Sequence, residues 1–224
     1  MSQTVVPCIP EILEPWWEPR HQSKLDELKQ MQASPDILLV GDSITHVWED
    51  SMGSEVDAKP IWNDFFSKYR TFNIGYCSDR TENVLWRLQN GEVDGISPKV
   101  AILLIGTNNT GIRQDPAEET AVGIASIIND LNLRLPTTKV LLLAIFPRTD
   151  NADYHHINTK INKIICRQYA HSNGVCYLDI NDNFFEEKTQ QFTKGFLPDG
   201  VHLTEDGYRI WAEAMKPTLM KMLA

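Results

Sequence analysis

The stretch LLVGDSITHVW, residues 38–48, decides the fold. With Ile37 in front, four apolar residues run without a break into Gly41-Asp42-Ser43, and a helix-like pattern follows. An apolar run that short and that continuous reads as a strand covered on both faces, as in a parallel sheet. Ser43 then stands at the carboxyl end of a buried strand. It is either the cap of the next helix or a hydroxyl presented for chemistry.

Working outward, the same signature recurs. DILLV (36–40) is followed by TFNIGY (71–76), VAILLI (100–105), VLLLAIF (140–146) and VCYLDI (175–180). Helical patterns lie between them. Residues 115–136 are expected to open with Asp115 as cap, Pro116 in the first turn and Glu118 three after the cap. Residues 79–91 and 155–174 each end in a glycine that reads as a helix stop. Tyr208, Trp211, Met215, Leu219 and Met222 form one apolar face of a last helix, which Pro217 is expected to kink. Residues 50–69 and 181–198 fit the alternation poorly and read as long loops. Strand–helix alternation implies an α/β three-layer sandwich with right-handed crossovers. Five strands imply a parallel sheet in the flavodoxin-like order 2-1-3-4-5. At 224 residues the chain suits one domain, 1–224, with residues 1–34 as an N-terminal extension packed on it.

Composition narrows the function. With 42% hydrophobic and 23% charged residues the chain reads as a soluble globular protein. A net charge of -9 without a Lys/Arg cluster repels phosphate backbones, so no nucleic-acid partner is expected, and nothing steers the chain to anionic membranes. The apolar runs are too short for a transmembrane segment. The start lacks a basic stretch followed by an apolar one, so no secretory signal is read there and a cytoplasmic location is expected. Cys8, Cys77, Cys166 and Cys176 are scattered and read as free thiols, and no metal is expected from them. There is no Gly-x-Ser-x-Gly elbow, no Gly-x-Gly-x-x-Gly and no Gly-x-x-x-x-Gly-Lys, which removes the usual nucleotide loops.

In the order 2-1-3, the loops after strands 1, 2 and 3 are neighbours at the carboxyl edge, where ligands bind. They carry Ser43, GYCSD (75–79) and GTNN (106–109). A fourth element, LPDGVHLT (197–204), sets Asp199 and His202 three apart. A carboxylate can fix one imidazole nitrogen while the other faces out, and a serine hydroxyl needs such a base. The amides of Ser43 and Ser78 and the Asn108 side chain are candidate oxyanion donors. Taken singly, each piece has a plainer reading: Ser43 a helix cap, Asn108 a turn residue, Asp-Gly-Val-His a turn with Thr204 as cap. Asp42 reads as shaping its turn. His46, His155, His156 and His171 read as surface or helix-face histidines. Trp16, Trp17, Trp48 and Trp86 read as core, with Trp48 also a candidate pocket wall. Four pieces converging in order outweigh the single readings.

These blocks, GDS (41–43), NIGYCSDRTENVLWRL (73–88), GTNN (106–109) and DGVHL (199–203), resemble those of the SGNH (GDSL-type) hydrolases. VLWRLQNGEVDGISPKVAILLIGTNN (84–109) is similar to the catalytic subunits of platelet-activating factor acetylhydrolase Ib and their bacterial relatives. The resemblance implies a serine esterase of flavodoxin-like fold that favours short acyl groups, notably acetyl, with no cofactor. It makes Ser43 the nucleophile, His202 the base and Asp199 the orienting acid, with Ser43, Ser78 and Asn108 around the oxyanion. Asp42, Gly75, Asp79, Gly106 and Trp48 are expected in the pocket or just behind it. Ser78 stands where the family usually has glycine; it keeps the N–H but brings a side chain near the acyl site. The expected partner is a small ester, an acetylated lipid or sugar, and a homodimer stays open. Alternatives are a carbohydrate O-acetyl esterase with the same triad, acyl transfer to another acceptor, and a non-catalytic binding module of this fold.

Overall fold

A computed structural model describes residues 17–51, 53 and 55–224. Cys8, Trp16 and the first half of the N-terminal extension lie outside the described residues. The apolar runs become β1 (Ile37–Gly41), β2 (Thr71–Gly75), β3 (Val100–Leu104), β4 (Lys139–Leu143) and β5 (Val175–Leu178). All pairs are parallel and the order is β2-β1-β3-β4-β5. The helices are α1 (Trp17–Gln30), α2 (Ser43–His46), α3 (Lys59–Phe66), α4 (Thr81–Gln89), α5 (Ala117–Arg134), α6 (Ala152–Tyr169) and α7 (Glu205–Leu223).

Strand side chains alternate between faces, so a continuously apolar strand feeds two cores. Leu38 and Val40 join Trp17 and α4, α5 and α6 on one side. Ile37 and Leu39 join α3 and α7 on the other, where Trp48, Tyr208 and Trp211 are fully buried. The register sets Gly41 opposite both Gly75 and Leu104, so the first three strands end level and their loops open on one edge. No helix among the described residues is long and apolar enough to cross a membrane.

Local readings differ in places. Asp115 does not cap α5: its carboxylate accepts from Arg113 and from the Asn109 Nδ2, drawn there by a π-helical turn at Asn109–Arg113. α6 begins at Ala152, capped by Asn151, and stops at Tyr169. Gly174 (φ +94°) therefore serves the turn into β5, not a helix end. Gly91 (φ +100°) does follow the end of α4. The stretch 50–69 holds α3, entered through Pro60 and docked by Ile61 and Phe66. His46 is buried at 6% exposure, not on the surface. α7 continues through Pro217 to Leu223.

Candidate active site

The turn after β1 leaves no room for side chains. A Cβ on Gly41 would collide with Thr45 Oγ1, and one on Gly75 would sit 2.5 Å from the His46 amide nitrogen. This contact lets β2 hold α2 directly: Asn73 Nδ2 donates to Thr45 O at 2.9 Å and Asn73 Oδ1 accepts from Gly75 N at 2.8 Å. From the other face, Tyr208 Oη donates to Ile44 O at 2.8 Å. The cap of α2 is Asp42, not Ser43: Asp42 Oδ1 accepts from Ile44 N at 3.0 Å. Ser43 is therefore the first helical residue, its N–H without an intrahelical partner and its hydroxyl free for another role. Burial pushes the Asp42 carboxyl up to about 7, against the Ile44 N–H and with the help of the nearby Asp79 charge.

Ser43 Oγ lies 2.9 Å from His202 Nε2. His202 Nδ1 lies 2.7 Å from Asp199 Oδ2. The second carboxylate oxygen, Asp199 Oδ1, accepts from Val201 N and His202 N, each at 2.9 Å. Partial burial works to raise this carboxyl, but the two backbone N–H groups and then the His202 ring outweigh it and hold it below the ordinary range. The anion thus stays ready beside the ring. With Nδ1–H donated to Asp199, Nε2 is left as acceptor for the serine hydroxyl. Gly200 (φ +69°) makes the turn between them, its Cα hydrogens packed on Thr149 and Asp150. Thr149 N donates to Gly200 O at 2.9 Å. Thr204 caps α7 by accepting from Gly207 N, as its sequence position suggested.

Ser78 adopts φ +64°, the left-handed conformation a glycine would take freely. For serine it costs about 1–2 kcal/mol, so the rest of the turn must enforce it. Its N–H meets no acceptor among the described residues. Asn108 Nδ2 donates to Asp79 O at 2.9 Å, which occupies one of its two N–H bonds and ties the GTNN loop to the Ser78 turn. Gly106 (φ +126°) opens that loop; a Cβ there would lie 2.7 Å from Ile145 Cδ1.

The structure sorts the residues expected in the pocket or just behind it. Trp48 does not line a cavity: it is sealed against Tyr208, Trp211 and Phe66, with ring centroids 4.7, 5.2 and 5.6 Å away. Asp79 sits behind the site, fully buried, and pairs with Arg87. A cavity of about 210 Å³ opens beside His202 and Asp199, walled by Val47, Val56, Cys77, Leu197 and Leu203, with Ser51 at its side. Apart from Cys77, which falls in GYCSD, nothing in the sequence marks these walls, or Arg87 with Glu92; only their apolar or charged character is visible there. A larger cavity of about 520 Å³ lies between α6 and the end of β5, and none of Ser43, His202 or Asp199 lines it. Among the described residues no group of His, Cys, Asp and Glu side chains could hold a metal ion.

Comparison with known proteins places this arrangement. The sequence model of the GDSL-like lipase/acylhydrolase family matches residues 39–210. The human platelet-activating factor acetylhydrolase IB subunit alpha2 is 31% identical over 208 residues, covering 92% of this chain and 85% of its own. The solved structure of a GDSL-like lipase from Bacteroides thetaiotaomicron superimposes with a TM-score of 0.68 at 19% identity, covering 90% of this chain and 97% of that one. A carbohydrate esterase family 3 structure from Talaromyces cellulolyticus gives 0.60 at 20% identity, over 84% and 97% of the two chains. The level strand ends, the serine turn and these matches agree: this chain is an ester hydrolase and belongs to the GDSL-like lipase/acylhydrolase family.

Proposed function

We propose that the chain hydrolyses esters of short acyl groups, acetyl above all, with Ser43 as nucleophile, His202 as general base and Asp199 as the acid that orients it. The observation that carries this reading is the unbroken line of hydroxyl, imidazole and carboxylate at 2.9 and 2.7 Å. Ser43 Oγ attacks the ester carbonyl carbon while His202 Nε2 takes its proton. The resulting oxyanion is met by the N–H groups of Ser43 and Ser78 and the free N–H of Asn108. His202 returns the proton to the leaving alcohol. Water, deprotonated by the same ring, then releases the acid from the acyl-enzyme. The limited cavity of about 210 Å³ beside the triad favours a small acyl group, as does the likeness to an acetylhydrolase subunit.

A second reading concerns the alcohol. A cavity of about 320 Å³ walled by Arg148, Thr149, Gln190, Gln191, Phe192 and Thr193 adjoins the Gly200 turn through the Thr149 N–H bond. Amide, hydroxyl and aromatic surfaces of this kind suit an acetylated saccharide better than an alkyl chain. Acetate release from acetylated xylan, set against an acetylated ether phospholipid, separates the two. Ser43→Ala tests the chemistry itself: p-nitrophenyl acetate turnover is expected to fall ~10⁴-fold or more. Turnover near wild type would end the proposal.

A further inference from the structure

We propose that helix α1 is a positioning element of the hydrolytic site: Trp17, acting through Asp79, keeps the Ser78 turn in the conformation that presents its N–H to the reacting carbonyl. The proposal rests on the reading above that this N–H is an oxyanion donor. α1 lies outside the stretch 39–210 that the family model matches. Its docking is polar. Trp17, Arg20, His21 and Lys24 recur at helical spacing, so they share one face. Trp17, His21 and Lys24 are buried there.

That face grips the turn from both ends. Arg20 Nε donates to Gly75 O at 3.0 Å, at the start of the turn. At its far end, Trp17 Nε1 donates to Asp79 Oδ1 at 2.6 Å. The other oxygen, Asp79 Oδ2, takes Arg87 Nε at 2.9 Å and a second guanidinium nitrogen at 2.7 Å. The backbone oxygen of Asp79 takes the Asn108 side chain at 2.9 Å. Every oxygen of the residue next to Ser78 is thus held by a different element: α1, α4 and the GTNN loop. Within the turn, Tyr76 N bonds to Gly41 O, and Asp79 N bonds to Tyr76 O. Cys77 and Ser78 make no backbone–backbone hydrogen bond among the described residues, and Ser78 is the residue at φ +64°. A serine released from such restraint relaxes to negative φ, which swings its N–H away. A glycine has no such bias.

Two substitutions test this. Trp17→Phe keeps a ring against Tyr76 and Trp86 and removes only the N–H donor. Rates are taken per Ser43 titrated with a fluorophosphonate, so unfolded chains do not count. The expected result with p-nitrophenyl acetate is a kcat about 10-fold lower or more with KM nearly unchanged, since an oxyanion donor acts in the transition state. In the Ser78→Gly background the same Trp17→Phe change is expected to cost much less, because glycine holds positive φ without the clamp. Unchanged kcat in Trp17→Phe overturns the proposal. So does a loss that disappears on titration of Ser43, or one of equal depth in both backgrounds. Ser43→Ala, run alongside, separates the failures: if it stays active, the esterase mechanism falls; if it is inactive while Trp17→Phe is not impaired, only the role of α1 falls.

Discussion

Two carboxylate clusters flank the Ser43 turn, and they are built in opposite ways. Asp199 and His202 stand open, with side chains 47% and 37% exposed. Asp79, Arg87 and Glu92 are sealed at 0%. In the open pair the acid needs no cation, because two backbone N–H groups hold its charge and solvent does the rest. In the sealed cluster one guanidinium serves two carboxylates, and Glu92 also takes His21 and the Tyr76 hydroxyl. Removing charges from water is costly, and such a cluster is tolerated only when its partners are all in place. The difference follows from the task. In the proposed mechanism a proton enters and leaves the first cluster at each turnover, which an accessible pair allows. Nothing must move in the second, which fixes the loop between β2 and α4.

That contrast can be broken from either side. The largest effect is expected at the open pair: Asp199→Asn should lower kcat roughly 10⁴-fold, because an amide cannot hold the ring in the tautomer that accepts from serine. Its melting temperature should stay within about 2 °C of wild type, because the site is exposed. A stability loss as deep as the activity loss would show the pair to be structural. Arg87→Met reverses the pattern. It strands two buried carboxylates, and the unfolding free energy should fall by about 3–5 kcal/mol in urea denaturation. A change below about 1 kcal/mol would mean the cluster is neutral in the fold.

The same contrast separates what the sequence discloses from what it hides. Continuous apolar runs disclose the strands, since a strand buried on both faces has no other composition available. The order of the sheet then brings Ser43, Ser78 and Asn108 to one edge, and Asp199 and His202 advertise themselves by their spacing of three. The sealed cluster is hidden, because Trp17, Asp79, Arg87 and Glu92 come from separate elements and each alone reads as core or surface. Trp48 carries two readings in sequence, core and pocket wall, and only its packing on Tyr208 and Trp211 decides for the core. Asp115 misleads because Arg113, only two residues before it, and Asn109 take its carboxylate from the helix N–H groups, a pairing that the π-helical turn creates and the capping pattern does not show.

Asp42 is a second fully buried carboxylate, without an ion pair among the described residues; burial lifts Asp79 to about 7 even against Arg87, and Asp42 shows the same effect with a backbone N–H in place of a guanidinium. One of its oxygens accepts from Ile44 N, and the other, Oδ2, is buried with no hydrogen-bond partner among the described residues. Burial, the largest influence, therefore prevails and lifts the carboxyl from 3.8 to about 7. Between those values the folded chain keeps a proton that the unfolded chain has lost. Stability must then fall as pH rises from about 4 to about 7, and the full cost is present above that. Asp42→Asn keeps an oxygen for the Ile44 N–H and cannot ionise, so this slope should vanish. Its new amide N–H groups add an offset that does not depend on pH, so the gap between the two melting curves is the quantity to follow. That gap should shift in favour of Asp42→Asn by on the order of 10 °C between pH 4 and pH 8. A gap that stays constant across this range would mean that Asp42 remains ionised in the fold, its charge held by the Ile44 N–H against the cost of burial.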